Sequence, residues 1–218
     1  MKSFLITCSH ATCAIPEAQR QLFKGSEDLV SSVEGWEPGS LNLAQGLAMK
    51  LSTPLIHGEV SRLLIDLEEE GDKRWSKISG KLPEATREKL VDRHQKKFRQ
   101  AIQLKIIEDL KRYESITHLI IHTAPIADGK ILFEHNSSAY AKKLSDAAVA
   151  ELPSSEVDAS SQAIGTKSSL IRWAELISPD GKYDFIRITV SQSFFMKSVP
   201  MRWETIKRSL IRAVSVSV

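Results

Sequence analysis

Four short apolar segments, rich in β-branched residues, constrain the fold of this 218-residue chain more than any other feature. They are Ser3–Cys8, Ser61–Leu67, His118–His122 and Phe185–Val190, and Pro54–His57 is a shorter fifth candidate. Continuous apolar runs of this length are typical of strands that are buried on both faces, as in parallel sheets covered by helices. We therefore predict a mostly parallel sheet with helices on both of its faces.

Helical patterns lie between these predicted strands. They extend over Leu41–Leu51, from Pro83 to about Tyr113, from Tyr140 to Glu151 and from Met201 to Val214. In the first, second and last of these, apolar residues recur at the spacing of one helix face. The alternation of strands and helices predicts an α/β fold with right-handed crossover connections.

The length of the chain indicates one domain. A chain of 218 residues is long enough to bury one large core and short for two. We therefore expect a single domain over residues 1–218. The segment 152–166 (LPSSEVDASSQAIGT) is polar and Ser-rich, and it carries few core residues. We predict that it is a loop within this domain rather than a linker between domains.

Charge and hydropathy argue against several classes of protein. The 30 basic and 27 acidic residues nearly balance, which is unlike a nucleic-acid-binding domain. The apolar run Phe4–Cys8 is shorter than the core of a signal peptide, about 7–15 residues, and no stretch approaches the ~20 apolar residues of a membrane span. The two cysteines, Cys8 and Cys13, do not suggest a disulfide framework. We expect a cytoplasmic protein that binds a small molecule, not nucleic acid or membrane, and its oligomeric state stays open.

Polar side chains stand at the ends of all four main predicted strands. His10 follows the first strand, Asp66 lies near the end of the second, His122 and Thr123 end the third, and Gln192 follows the fourth. Open α/β sheets bind their ligands just beyond the carboxyl ends of the strands. The sequence therefore predicts a polar site at this edge of the sheet.

Two histidines from separate strand ends suit a divalent metal such as zinc, which binds neutral imidazole nitrogen readily. A catalytic zinc site needs three protein ligands, and the sequence leaves the third open. Cys13 lies three residues after His10, and Glu37 and Asp66 are carboxylate candidates. The alternative is that each histidine is a structural hydrogen-bonding residue.

Charged residues elsewhere allow more than one interpretation. Arg62 and Asp66 are four residues apart in a predicted strand and would point to the same face. Arg62 is then either a fork that binds a substrate carboxylate or one half of an internal salt bridge. The basic segment Arg93–Arg99 and the acidic run Glu68–Glu70 are typical of solvated surface, although Glu68–Glu70 lies beside the predicted site.

Several segments follow one another in the order and spacing of a known family. They are CSHATCAIPE, EGWEPGSLNLAQGLAMKLSTPLI, VSRLLIDL, Arg99 on the long helix, IIHTAPIADGK and FIRITVSQ. Together they resemble the N-formylglutamate amidohydrolase family over most of the chain. The resemblance implies a single α/β domain with the hydrolase fold of zinc carboxypeptidases and aminoacylases.

The resemblance also implies an activity and a set of site residues. A metal-dependent hydrolase would cleave an amide bond of a small N-acyl amino acid or a similar carboxylate-bearing substrate. His10 and His122, with Cys13 as a candidate third ligand, would bind the metal, and Glu37 and Asp66 would be the catalytic carboxylates. The substrate would contact four residues: Arg62, Arg99, Thr123 and Gln192.

The chain departs from the family pattern at several places. Glu37 stands for the aspartate of Gly-Trp-Asp and keeps the carboxylate, and Ser9 stands where a glutamate often precedes the histidine. Glu68 and Glu69 stand where family members usually have Asn-Arg, and Thr189 and Ser191 precede Gln192 where members carry a glutamate before Asn-Gln. If that glutamate supplies the proton acceptor, it is missing here from its usual place, and Glu37 or one of Glu68–Glu70 would replace it. The alternative function is a ligand- or metal-binding module on the same scaffold that has lost turnover.

Overall fold

A computed structural model describes residues 2–155, 157–179, 181–196 and 200–216. Six strands in these segments form one sheet in the order β2-β1-β3-β6-β4-β5. Their bounds are Lys2–Cys8 (β1), Leu55–His57 (β2), Ser115–Ala124 (β3), Lys130–His135 (β4), Asp158–Ala163 (β5) and Tyr183–Ser191 (β6). Only β4 and β6 pair antiparallel, so the prediction of a mostly parallel sheet is confirmed.

The helices lie on both faces of this sheet. Their bounds are Glu17–Arg20 (α1), Glu27–Ser31 (α2), Ser40–Lys50 (α3), Glu84–Leu90 (α4), Lys96–Asp109 (α5), Ala139–Glu151 (α6), Ser169–Leu176 (α7), Ser193–Met196 (α8) and Pro200–Val216 (α9). A π-helical turn, Val91–Gln95, joins α4 to α5. The four predicted helices are confirmed, whereas α7 was not predicted. Among the described residues, no helix is both long and apolar enough to cross a membrane.

Two apolar cores form because successive side chains of a strand point to opposite faces. On β3, Leu119 and Ile121 face the core that includes residues of α3, α6 and α9. Ile116 and Ile120 face the core that includes residues of α5 and α7. Burial on both faces explains why β1, β3 and β6 read as continuous apolar runs in the sequence.

The prediction of a strand over Ser61–Leu67 is wrong. This segment turns instead, since the amides of Leu64 and Ile65 both donate to the carbonyl oxygen of Ser61. Leu64 and Ile65 are fully buried in the core under α5. A short apolar run reports burial but not strand pairing, which is why the sequence misled here. Arg62 and Asp66 therefore do not share the face of a strand.

The prediction of a loop over 152–166 is also wrong in its central part. Residues Asp158–Ala163 form β5, which pairs parallel with β4. Because β5 is the edge strand of the sheet, its side chains are exposed or half-buried, and an apolar signal is missing from its sequence. The antiparallel strand β4 was not predicted either.

Candidate metal centre

The candidate site forms where the neighbouring parallel strands β1 and β3 end side by side. His10 lies two residues beyond the end of β1, and His122 stands near the end of β3. The loop before α3 crosses over these strand ends and brings Glu37 to them. The amide of Glu37 donates to the carbonyl oxygen of His10 over 2.9 Å, which ties this loop to the end of β1.

The three side chains converge on one point. Nδ1 of His10 lies 2.9 Å from Oε1 of Glu37, and Nδ1 of His122 lies 3.0 Å from Oε2 of the same carboxylate. The potential ligand atoms of these three residues all lie within 4.8 Å of one another. All three residues are buried, with exposed fractions of 6% for His10, 5% for Glu37 and 8% for His122.

A second pair of carboxylates faces the outer nitrogens of the two imidazoles. Nε2 of His10 lies 3.0 Å from Oδ1 of Asp66. Nε2 of His122 lies 3.0 Å from Oε1 of Glu68, but not in line for a hydrogen bond, so this contact is electrostatic. A carboxylate behind a metal-binding imidazole sets the orientation of the ring and raises its basicity. Both histidines therefore present Nδ1 to Glu37.

The charges in this cluster shift the pKa values of its members strongly. Burial alone would lower the pKa of His122, but the carboxylates of Glu37 and Glu68 raise it to about 10. Burial likewise opposes the charge of His10, and Asp66 and Glu37 raise its pKa well above the usual value. Burial would raise the pKa of Glu37, but the charges of His122 and His10 lower it to about 2. The cluster is thus a concentration of buried carboxylate charge, which favours positive charge on His10 and His122.

Arg62 does not lie on the strand that was predicted for it, and its guanidinium contacts the loop that carries Glu37. Its Nε donates to the carbonyl oxygen of Glu34 over 2.9 Å, and Nη2 donates to that of Val33 over 2.5 Å. Nη1 lies 3.5 Å from Oε1 of Glu37. The guanidinium thus clamps the loop that carries Glu37, and these contacts favour a positioning role over direct substrate binding.

Thr123 contacts Glu37 and its loop, and Gln192 contacts Thr123 in turn. The amide of Thr123 donates to Oε2 of Glu37 over 3.2 Å, and its hydroxyl donates to the carbonyl oxygen of Pro38 over 2.8 Å. Nε2 of Gln192 donates to the carbonyl oxygen of Thr123 over 3.3 Å. Both side chains are buried, and the contacts of Thr123 favour a structural role over the predicted contact with substrate. Oε1 of Gln192 has no hydrogen-bond partner among the described residues.

Cys13 is not brought into the cluster. Among the described residues, the group with metal-ligand geometry consists of His10, Glu37 and His122. The third member is therefore a carboxylate, one of the two that the sequence left open beside Cys13. A loop of three residues could have returned the thiol to His10, but the chain leads away along residues 11–16 toward α1.

Glu68 belongs to the cluster, whereas the sequence indicated only that one of Glu68–Glu70 could replace the missing glutamate. The acidic run Glu68–Glu70 was interpreted as solvated surface, yet the side chain of Glu68 is 8% exposed and accepts a hydrogen bond from Ser9 over 2.6 Å. The amide of Leu170 donates to the carbonyl oxygen of Glu68 over 2.8 Å. Docking of α7 therefore helps to turn this carboxylate inward, which no local pattern in the run indicates.

Arg99 lies outside the cluster, on α5. It forms an ion pair with Glu70 and lies over the ring of Trp173, with its guanidinium carbon 5.2 Å from the ring centroid. Its Nε and Nη2 are buried with no hydrogen-bond partner among the described residues. Buried donors of this kind are rare in folded proteins unless a ligand, ion or water satisfies them.

The donor set of the cluster fits a divalent metal ion. Two imidazole nitrogens and one carboxylate are three ligands of the kind that zinc takes in catalytic sites. Their outer partners are also in place, since Asp66 and Glu68 face the opposite ring nitrogens. The fold and the cluster together define a class: an α/β protein with a His-Glu-His group of metal-ligand type at the carboxyl ends of two neighbouring parallel strands.

Comparison with known proteins adds two structural relatives. The chain is similar to gene product Atu2144 from Agrobacterium tumefaciens, with a TM-score of 0.78 and 21% identity, over 99% of this chain and 90% of that one. It is also similar to N-formylglutamate amidohydrolase from Ralstonia eutropha JMP134, with a TM-score of 0.72 and 13% identity, over 100% of this chain and 94% of that one. No family model matches the sequence, and no curated protein matches it. The chain therefore has the fold of an N-formylglutamate amidohydrolase, and the resemblance is confirmed for the fold.

Proposed function

We propose that this protein is a metal-dependent amidohydrolase that cleaves the amide bond of a small N-acyl amino acid or a similar carboxylate-bearing substrate. The observation that carries the proposal is the convergence of both Nδ1 atoms, from His10 and His122, on the carboxylate of Glu37. The fold supports it, because one structural relative is an N-formylglutamate amidohydrolase. The expected cytoplasmic location stays a prediction.

His10, Glu37 and His122 would hold the metal ion, for which zinc is our proposal. A bound zinc ion polarises an amide carbonyl and lowers the pKa of a water molecule. The role of Glu37 thus changes from the predicted catalytic carboxylate to a ligand. Asp66 would fix the orientation and tautomer of the His10 ring through its contact with Nε2, and the charge of Glu68 would act on His122 electrostatically.

The chain supplies two further functions through its own side chains. We propose Asp66 as the proton acceptor, acting through an intervening water, because its side chain is 24% exposed while that of Glu68 is 8% exposed. We propose Arg99 as the residue that binds the substrate carboxylate, since its buried Nε and Nη2 have no hydrogen-bond partner in the part of the chain that the structure describes. A guanidinium binds a carboxylate through two parallel hydrogen bonds.

One observation favours a second function, a binding module without turnover. Thr189 pairs with His122 across β3 and β6, at the place where the resemblance leads us to expect a glutamate. Oδ1 of Asp66 and Oε1 of Glu68 already contact the histidines. If neither carboxylate can accept a proton from water, the site would bind a metal and a ligand without hydrolysing the amide.

Metal content and hydrolysis distinguish the two functions. Plasma mass spectrometry of untagged protein should find about one zinc per chain, and His10→Ala and His122→Ala should each lose it. His57→Ala is the matched control, because His57 is exposed and lies outside the cluster. Release of free amino acid from N-acyl amino acids by the zinc-loaded protein supports the enzyme, and bound zinc without release supports the binding module. No zinc in the wild type, even after incubation with zinc and dialysis, would refute the metal site.

A further inference from the structure

A groove lined by aromatic side chains lies beside the candidate metal centre. It has a volume of about 430 Å³, which is within the usual range for small-molecule sites of roughly 300–1,000 Å³. Trp36, Phe195 and Trp203 form its walls, with Leu41 and Ala11 between them. The rings of Phe195 and Trp203 meet edge to face, with centroids 5.8 Å apart.

The chain connects this groove directly to the metal-ligand group. Ala11 follows His10, and Trp36 precedes Glu37, so each lies one peptide unit away, about 3.8 Å between Cα atoms. Gly39, at the start of α3, also lines the groove. A Cβ at Gly39 would come within 3.0 Å of the ring of Phe195, and its φ of +86° suits glycine. Gly39 thus allows the backbone to approach the ring of Phe195 closely.

The chemistry of the groove suits an apolar ligand group. Phe195 is 41% exposed, and it lies beside Trp36 and Trp203 in the same groove; small-molecule sites are concave and lined mainly by apolar and aromatic side chains. The polar residue Asn42 at the rim is engaged, since its Oδ1 accepts from Trp203 Nε1 over 3.2 Å and from Lys207 Nζ over 2.9 Å. Side-chain charge at the rim comes from Glu204, which is paired with Lys207.

The groove and Arg99 lie on opposite sides of the sheet, and the metal-ligand group lies at the strand ends of this sheet. Trp203 and Ala11 belong to the core that α3 and α9 cover. Arg99 belongs to α5 and lies over Trp173, which packs against the other core. In an N-acyl amino acid, the carboxylate and the acyl group also lie on opposite sides of the scissile amide. An amide held at the metal with its carboxylate toward Arg99 therefore directs its acyl group toward the groove.

We propose that this groove binds a bulky apolar acyl group, with an aromatic acyl group preferred, and so sets the substrate class of the site. This inference rests on the proposed function. A formyl group would leave the groove empty, whereas an arylacetyl group would contact Phe195 and Trp36. Aromatic pairs of this kind add to the stabilisation that burial of the ring provides.

Binding of two matched compounds, without turnover, tests the groove. N-phenylacetyl-L-glutamate and N-formyl-L-glutamate differ only in the acyl group, and each can be titrated calorimetrically into protein stripped of metal. We expect the phenylacetyl compound to bind about 10-fold more tightly or more, as discrimination through apolar contacts allows. Phe195→Ala should lower this ratio by removing a wall, and Gln45→Trp should lower it by filling the groove from α3 without disturbing the core.

The matched control is Leu176→Ala, which removes an 85% exposed apolar side chain from α7, outside the groove. It should leave the ratio unchanged. Equal binding of the two compounds, absence of binding by both, or a ratio that neither Phe195→Ala nor Gln45→Trp changes would overturn the groove proposal. The two proposals fail separately. A ratio that depends on the groove without hydrolysis by zinc-loaded protein refutes the enzyme alone, and hydrolysis of the formyl compound with a ratio of one refutes the groove alone.

Discussion

His118 and His122 stand on the same face of β3, four residues apart, yet their environments hold His118 neutral and His122 positively charged. Burial would lower the pKa of both. At His122 the carboxylates of Glu37 and Glu68 override burial and raise the pKa to about 10. At His118 burial prevails over the distant charge of Glu68 and lowers the pKa to about 3.

The neighbours of His118 explain the difference. Nε2 lies 2.7 Å from the hydroxyl of Thr7, and Nδ1 lies 2.6 Å from the hydroxyl of Tyr183. These neutral partners satisfy both ring nitrogens of a neutral imidazole, one as donor and one as acceptor. Both histidines are buried, so the type of partner, carboxylate or hydroxyl, and not burial, distinguishes a histidine of metal-ligand type from a structural one in the same strand.

Glu37→Gln has the largest expected effect, because Glu37 contacts His122 and not His118. The amide keeps the shape of the side chain but removes the negative charge between the two Nδ1 atoms. We expect zinc affinity to fall by more than about 100-fold, because loss of an outer partner alone costs 10–100-fold. Competition with a chromophoric chelator measures this change. The control is Glu34→Gln, which changes an exposed glutamate in the same loop. A zinc affinity that falls in Glu34→Gln but not in Glu37→Gln would refute the ligand assignment.

Glu68→Gln tests the outer partner of His122. The variant removes the charge behind Nε2, so we expect zinc affinity to fall by about 10–100-fold while the protein still folds. Glu69→Gln is a matched control, since Glu69 is adjacent in the chain and accepts a hydrogen bond from Ser169 instead. Equal affinities of the two variants would show that Glu68 has no specific role.

His118→Gln tests the neutral state of His118 through the pH dependence of the unfolding free energy. The pKa of His118 is about 3 in the folded protein and about 6.5 in the unfolded chain, so the unfolded chain binds the additional proton between these values. The contribution of His118 to stability is therefore present above pH 6.5 and decreases as the pH falls. Between pH 7 and pH 5, wild-type protein should lose about 2 kcal/mol more unfolding free energy than the variant.

Urea unfolding at the two pH values, followed by circular dichroism, checks this prediction. His57→Gln serves as the control, because His57 is exposed at the end of β2, and it should keep the wild-type dependence. A variant His118→Gln with the same pH dependence as the wild type would show that His118 is not held neutral by its surroundings.

Thr7→Val has the smallest expected effect. It removes the hydroxyl that contacts Nε2 of His118 while keeping the shape of the side chain. A hydrogen bond of this kind contributes about 1 kcal/mol to the free energy of unfolding. Zinc content should stay at the wild-type value, because Thr7 does not contact the metal-ligand group. A loss of zinc from Thr7→Val would show that the two halves of β3 are coupled.

Much of the fold was accessible from the sequence, and the exceptions share a cause. The buried strands β1, β3 and β6 were predicted because both faces of each are covered, which leaves a continuous apolar run. Ser61–Leu67 has the same pattern but is buried as a turn. The edge strand β5 is partly exposed to solvent and was taken for a loop. An apolar pattern thus indicates that a segment is buried. It does not indicate whether the backbone of that segment pairs with a neighbouring strand.

The candidate site divides in the same way. The sequence alone predicted that His10, Asp66 and His122, which follow or end apolar segments, meet at one edge of the fold. Only the tertiary structure decided that Glu37, and not Cys13, completes the group, and that Glu68 is buried while Glu69 is half-buried and Glu70 exposed. The physical reason is that these carboxylates lie on loops, whose paths are set by distant contacts such as Gln95 Nε2 with the carbonyl oxygen of Glu69, and such contacts leave no periodic pattern in the sequence.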